Sequence, residues 1–197
     1  MVVRYQRHGC ADLDDELPYV LDVLARAGAE RVIAVGASVG GMMARRLATV
    51  VSVAGVVLVD SASEDFRVEG PLPHDVRAAL RAEVVDNEEG IDLRSTHSRL
   101  REDRLRGTLA GVPLVVVARG EGRWPVPSDV AVQLDAAWRA AQEGLRDLSE
   151  RAVLVVAARS GHHVAQDRPD LVAAAVRHLA APGSVTTEQL ARVASAG

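Results

Sequence analysis

Four stretches of the chain are apolar without alternation. They are residues 32–35 (Val32, Ile33, Ala34, Val35), 53–59 (VAGVVLV), 112–118 (VPLVVVA) and 152–157 (AVLVVA). An unbroken apolar run of this length predicts a strand covered on both faces, as in a parallel sheet between layers of helix. Residues 1–5 (MVVRY) predict one further short strand. Between the runs the apolar positions change to helical spacing. Leu17, Val20, Leu21, Val23 and Leu24 place a helix over about residues 14–27, with Gly28 as its C-terminal cap. Helical patterns also occupy about residues 130–148 and 168–179, and a short one, 185–194, follows Pro182. The alternation predicts an α/β chain with a doubly wound, mostly parallel sheet of about five strands.

Residues 61–111 interrupt this rhythm. The stretch is rich in Arg, Glu and Asp, and its apolar positions are sparse (Val76, Leu80, Val84, Leu100, Leu105). A helical insertion lying over the sheet edge is expected, acting as a small cap or lid within a single domain spanning residues 1–197. His74 and His97 fall inside it and are expected at the surface.

Composition narrows the function. Aromatic residues are only 3% of the chain, too few for base-stacking platforms. The net charge is −4, and the basic residues, all Arg, are spread without a cluster, so no nucleic-acid partner is expected. Cys10 is the single cysteine, which excludes an internal disulfide and favours a reducing compartment. No apolar run reaches membrane-spanning length and no signal peptide precedes Arg4, so the expected location is cytoplasmic, with no membrane partner.

The chemistry centres on Gly36-Ala37-Ser38-Val39-Gly40-Gly41, which follows the strand at 32–35 and opens a helical stretch containing Met42, Met43, Arg45, Arg46 and Leu47. Strand, G-x-S-x-G and helix together form the context of a nucleophile elbow. Its turn is so tight that the positions two before and two after the serine must lack bulk, which points to Gly36 and Gly40. Ser38 would then stand clear of the sheet at a helix N-terminus, where the Val39 backbone N–H favours an oxyanion. A nucleotide-binding turn fits poorly, because the Lys of a P-loop and the G-x-G-x-x-G spacing are both missing.

With Gly36 to Gly41, the strand ending at Asp60-Ser61, the strand 113–118 running into Arg119-Gly120-Glu121, and Ser160-Gly161-His162-His163 followed by Asp167-Arg168-Pro169-Asp170, the chain resembles the α/β-hydrolase superfamily, of the cap-bearing esterase and peptidase-like kind. The resemblance extends to about residue 181. It implies an α/β-hydrolase fold and a serine hydrolase acting on a small-molecule carboxylic ester or related acyl substrate, with neither metal nor organic cofactor. Ser160-Gly161-His162 matches the family's histidine loop, making His162 the base, with His163 as its neighbouring competitor. The acid is less regular. Relatives commonly carry it where this chain has Arg123. Asp60, at the end of the strand after the elbow strand, where some family branches carry their acid, is favoured over Glu121. Glu121 lies two residues before the usual site, with one extra methylene of reach, and the remaining reading has no acid at all.

Relatives also have about three strands ahead of the one that residues 1–5 resemble, so the chain reads as N-terminally shortened. His8-Gly9 is a weaker alternative as the second oxyanion donor. A sheet beginning at an exposed edge would favour self-association into a homo-oligomer. The competing function is a catalytically silent hydrolase-fold fragment that uses its cleft as a binding module.

Overall fold

The structure, a computed structural model, describes residues 2–5, 9–10, 12–82, 90–122, 124–181 and 183–196. Four parallel strands make one sheet: β1 (Val32–Ala37), β2 (Val53–Val59), β3 (Leu114–Arg119) and β4 (Ala152–Ala157), ordered in space as in sequence. Each pair is joined by a helical crossover. These are α2 (Val39–Val50), then α3 (His74–Ala82) with α4 (Leu93–Leu105), then α5 (Ser128–Arg146). A right-handed crossover repeated in one direction carries its helices to one face of the sheet. Met42, Leu47, Leu100 and Leu145 accordingly share one core with Leu13 and Leu17 of α1 (Leu13–Arg26). The short α6 (Val164–Asp167), α7 (Pro169–Ala180) and α8 (Thr187–Ser195) follow the last strand. Leu171, Leu179 and Leu190 of α7 and α8 build the second core on the opposite face.

The unbroken apolar strands serve both cores at once. Val56 and Leu58 of β2, with Leu114 and Val116 of β3, face the first core. Val57, Val59, Val115 and Val117 face the second. This is the two-residue period of a strand covered on both sides. The register pairs Ala37 with Val59, Val59 with Val117 and Arg119 with Ala157. The carboxyl ends of all four strands therefore finish at one level, the place where open α/β sheets hold their ligands.

Two expectations need correction. The stretch 1–5 forms no strand among its described residues: Val2 is 89% exposed, while Tyr5 folds against the first core and donates a hydrogen bond to Glu16. Three to five residues without a pairing partner cannot hold a strand, and the described sheet has four strands rather than about five. His97 is half-buried in α4 instead of at the surface, with its Nε2 enclosed and without a hydrogen bond among the described residues. His74 is exposed as expected.

The 61–111 stretch does contain helices, of two kinds. α4 docks through Leu93 and Leu100 into the first core, capped by Asp92 accepting from the Arg94 N–H, whereas α3 buries no residue. β1 and β4 bound the sheet, and Val35 and Val156 on these outer strands are each 47% exposed. Among the described residues no helix is long and apolar enough to cross a membrane.

Candidate active site

Ser38 joins β1 to α2 with φ 51° and ψ −125°, a conformation that non-glycine residues rarely adopt. Three backbone hydrogen bonds hold it there. Its N–H donates to Val59 O at 3.1 Å, and its carbonyl accepts from the N–H groups of Gly41 and Ala62, both at 3.0 Å. Strain of this kind persists only where the surroundings over-determine it. The bend is closed at Gly36, where a Cβ would stand 2.0 Å from the Gly40 carbonyl oxygen, and at Gly41, where it would stand 2.1 Å from Ser61 Oγ. Gly40 differs from the sequence expectation: a Cβ there meets nothing within 4 Å. The tight partner of Gly36 is thus the backbone of residue 40, and the side-chain space that must stay empty belongs to Gly41.

The level strand ends bring three distant side chains together. Ser38 Oγ lies 3.1 Å from His162 Nε2, and His162 Nδ1 lies 2.6 Å from Asp60 Oδ2. Asp60 is fully buried at the end of β2, with φ 41°. Its other oxygen, Oδ1, accepts from the Arg119 backbone N–H at 3.1 Å and from Trp138 Nε1 at 2.7 Å. With both ring nitrogens of His162 engaged, Nδ1–H facing the carboxylate leaves Nε2 free to accept the hydroxyl proton. The imidazole is brought in by a loop pinned at both sides. Gly161 N–H donates to Asp167 Oδ2 at 3.0 Å, and Ser160 O accepts from the N–H groups of Gly120 and Glu121 at 3.1 and 3.0 Å.

The remaining sequence candidates fall around this chain. His163 is exposed and caps α6, its ring centroid 5.7 Å from that of His162. Glu121 is exposed on the turn after β3. Val39 is the first residue of α2, so its N–H belongs to the first-turn amides that the helix itself cannot satisfy. Arg123 and His8 lie outside the described residues, and Gly9 is exposed. Among the described residues no group of three or more His, Cys, Asp or Glu is placed to hold a metal ion.

Sequence reading missed the surroundings of Asp60. The single Phe and both Trp residues of the chain converge beside it. Phe66 lies 6.2 Å from Trp124 and 5.5 Å from Trp138, and the Trp138 ring meets His162 edge-on at 5.8 Å. The Arg119 guanidinium packs over both indoles, 4.5 and 4.8 Å from their centroids. It also reaches Asp135 at 3.3 Å and Asp60 at 3.8 Å. A usable signal existed in the scarcity of aromatics together with the three-residue spacing of Asp135 and Trp138, which puts both on one helix face.

A model of the alpha/beta hydrolase family matches residues 2–175. A search of the curated proteins finds no match. Among solved structures, Est816, described as an N-acyl homoserine lactone degrading enzyme, is 19% identical with a TM-score of 0.55, over 89% of this chain and 78% of its own. An alpha/beta fold family hydrolase from Bacillus anthracis str. Sterne is 12% identical with a TM-score of 0.51, over 85% and 74%. A probable hydrolytic enzyme from Pseudomonas aeruginosa PAO1 is 15% identical with a TM-score of 0.51, over 91% and 71%. At these identities the likeness to the solved structures is one of fold. The family match spans both the elbow and the histidine loop, and the chain belongs to the alpha/beta hydrolase family.

Proposed function

We propose that this protein is a serine hydrolase cleaving a carboxylic ester or a related acyl substrate through an acyl-enzyme on Ser38. The observation that carries this reading is the unbroken run Ser38 Oγ, His162 Nε2, His162 Nδ1, Asp60 Oδ2, with links of 3.1 and 2.6 Å. In the forward step His162 takes the Ser38 proton as Oγ bonds to the acyl carbon, and Asp60 stabilises the imidazolium that forms. The oxyanion sits against the Val39 N–H at the start of α2. Collapse of the adduct breaks the bond to the leaving alkoxide, which receives the proton from His162. Water then repeats the sequence on the acyl-enzyme, releasing the acid and restoring the Ser38 hydroxyl. The stretch 61–111 sends Phe66 to the aromatic cluster beside His162, which supports its role in shaping the substrate pocket.

The binding-module alternative rests on the missing N-terminal strands and on Arg123 standing at the usual acid position. Asp60 beside Nδ1 answers the second ground and supports the enzyme reading. The deciding experiment measures hydrolysis of a panel of short- and medium-chain p-nitrophenyl esters, with labelling by a fluorophosphonate probe. Wild type should turn over and be labelled, and Ser38→Ala should do neither. Equal labelling of the two proteins would end the reading.

A further inference from the structure

We infer that Trp138 is a positioning residue for the Ser38–His162–Asp60 chain, its indole N–H fixing the plane of the buried Asp60 carboxylate. The inference rests on the hydrolase reading for its consequence in rate, but its geometric content stands apart. A carboxylate turns about its Cβ–Cγ bond unless both oxygens are held. Oδ2 faces His162 Nδ1 at 2.6 Å. Oδ1 is held by the Arg119 backbone N–H at 3.1 Å and by Trp138 Nε1 at 2.7 Å. The indole gives the shorter contact and is the side-chain donor at Oδ1.

The indole cannot easily swing away. Phe66 and Trp124 meet it at 5.5 and 6.1 Å, and the Arg119 guanidinium lies 4.8 Å from its centroid. Asp135 anchors this stack by accepting from Trp124 Nε1 at 2.6 Å and pairing with Arg119. The same Trp138 ring stands edge-on to the His162 imidazole at 83°. One side chain therefore steadies the acid through a hydrogen bond and the base through a ring contact.

The two contributions separate experimentally. Removing only the N–H leaves the Asp60 charge less neutralised, so the imidazolium is better stabilised and the acid limb of the rate profile moves to higher pH. A packing defect would scale the rate at every pH alike. Trp138→Phe and a β-(3-benzothienyl)alanine replacement, which keeps the indole shape without its N–H, are compared with wild type and repeated in an Asp60→Ala background. The probe is p-nitrophenyl acetate, with the His162 ring titrated by NMR in each protein. Both replacements should lower kcat by up to about tenfold, because the lost alignment of the carboxylate outweighs its stronger attraction for the imidazolium, with KM changed less than twofold. The acid limb and the His162 titration should both move to higher pH, and in Asp60→Ala the benzothienyl replacement, which keeps the ring contact to His162, should not change the rate.

Equal losses in both backgrounds, or an unmoved His162 titration, would overturn the inference while leaving the hydrolase reading intact. Absence of ester turnover with a titration that still moves would sink the hydrolase reading and leave the positioning role standing. Absence of both removes both. The benzothienyl variant decides the matter if the phenyl variant fails to fold.

Discussion

Arg45 of α2 and Glu64 of the segment leaving β2 form a two-pronged ion pair at 2.6 and 2.8 Å, with side chains only 2% and 0% exposed. The pair ties the helix that follows Ser38 to the segment that follows Asp60. Burial pushes the Glu64 carboxyl up, but the hydrogen bonds and charge of Arg45 outweigh it and hold the group below its ordinary range. An ion pair this dry is expensive to break from one side, because the partner stays buried and uncompensated. Arg45→Met and Glu64→Gln should each destabilise the fold by about 3–5 kcal/mol, whereas Arg45→Met with Glu64→Leu should lose much less. Urea unfolding of the three variants checks this, and single variants as stable as wild type would contradict it.

The elbow glycines make opposite predictions for one substitution. At Gly36 an added methyl meets the Gly40 carbonyl at 2.0 Å, and backbone must move to admit it. At Gly40, inside α2, the space is open and the helix gains a better former. Gly36→Ala should therefore unfold the elbow or lower the melting temperature by many degrees. Gly40→Ala should leave stability unchanged or raise it by up to about 1 kcal/mol. Thermal melts of the two variants side by side read the difference, and equal damage would show that the bend is closed elsewhere.

Two carboxylates compete for the acid role, and their variants separate them. Asp60→Asn leaves the shape but favours the wrong imidazole tautomer, so kcat/KM for an activated ester should fall by about 10⁴. Glu121→Gln, on the exposed turn after β3, should stay within about twofold of wild type, the ordinary result for a surface change. A reversed ranking in steady-state kinetics would move the acid to Glu121.

What the sequence could disclose follows from how local each feature is. β2 has the predicted limits because its apolar run is bounded by Ser52 and Asp60, and β4 has them too, opening after Arg151. α7 is foreseen within a residue or so at each end, since Pro169 opens it. The Gly-x-Ser-x-Gly-Gly run disclosed a bend but not which glycine it needs, because the 2.1 Å approach at Gly41 comes from Ser61, across the neighbouring strand. Residues 1–5 carry strand-like side chains, yet the outcome depended on a partner strand and on Glu16, which captures Tyr5. For Trp138 the sequence signalled a shared helix face with Asp135 but not its partner: Asp60 lies 78 positions away, and only the docking of α5 beside β3 brings them together. His97 carried no signal either, since its burial depends on how α4 packs against α1 and α2.

His97 makes the last prediction, on pH. Burial lowers its pKa below the ordinary histidine value, and the charge of Arg101 adds to the effect; Arg45 acts in the same sense, while Glu64 and Asp65 oppose it. The neutral ring is therefore the form the fold prefers. As pH falls below about 6.5 the unfolded chain takes up the proton first, and stability drops until the folded value is passed. The slope contributed by this one group is at most about 1.4 kcal/mol per pH unit, with stability rising toward neutral pH. Glu64, lowered as well, has the same sign but acts only below about pH 4.5. Between pH 5 and 7.5 Glu64 therefore drops out, and the comparison of wild type with His97→Phe separates this ring from the other five histidines. His97→Phe should flatten the wild-type slope in that window while leaving the melting behaviour at pH 7.5 close to wild type. Parallel slopes for the two proteins would place the titrating group elsewhere.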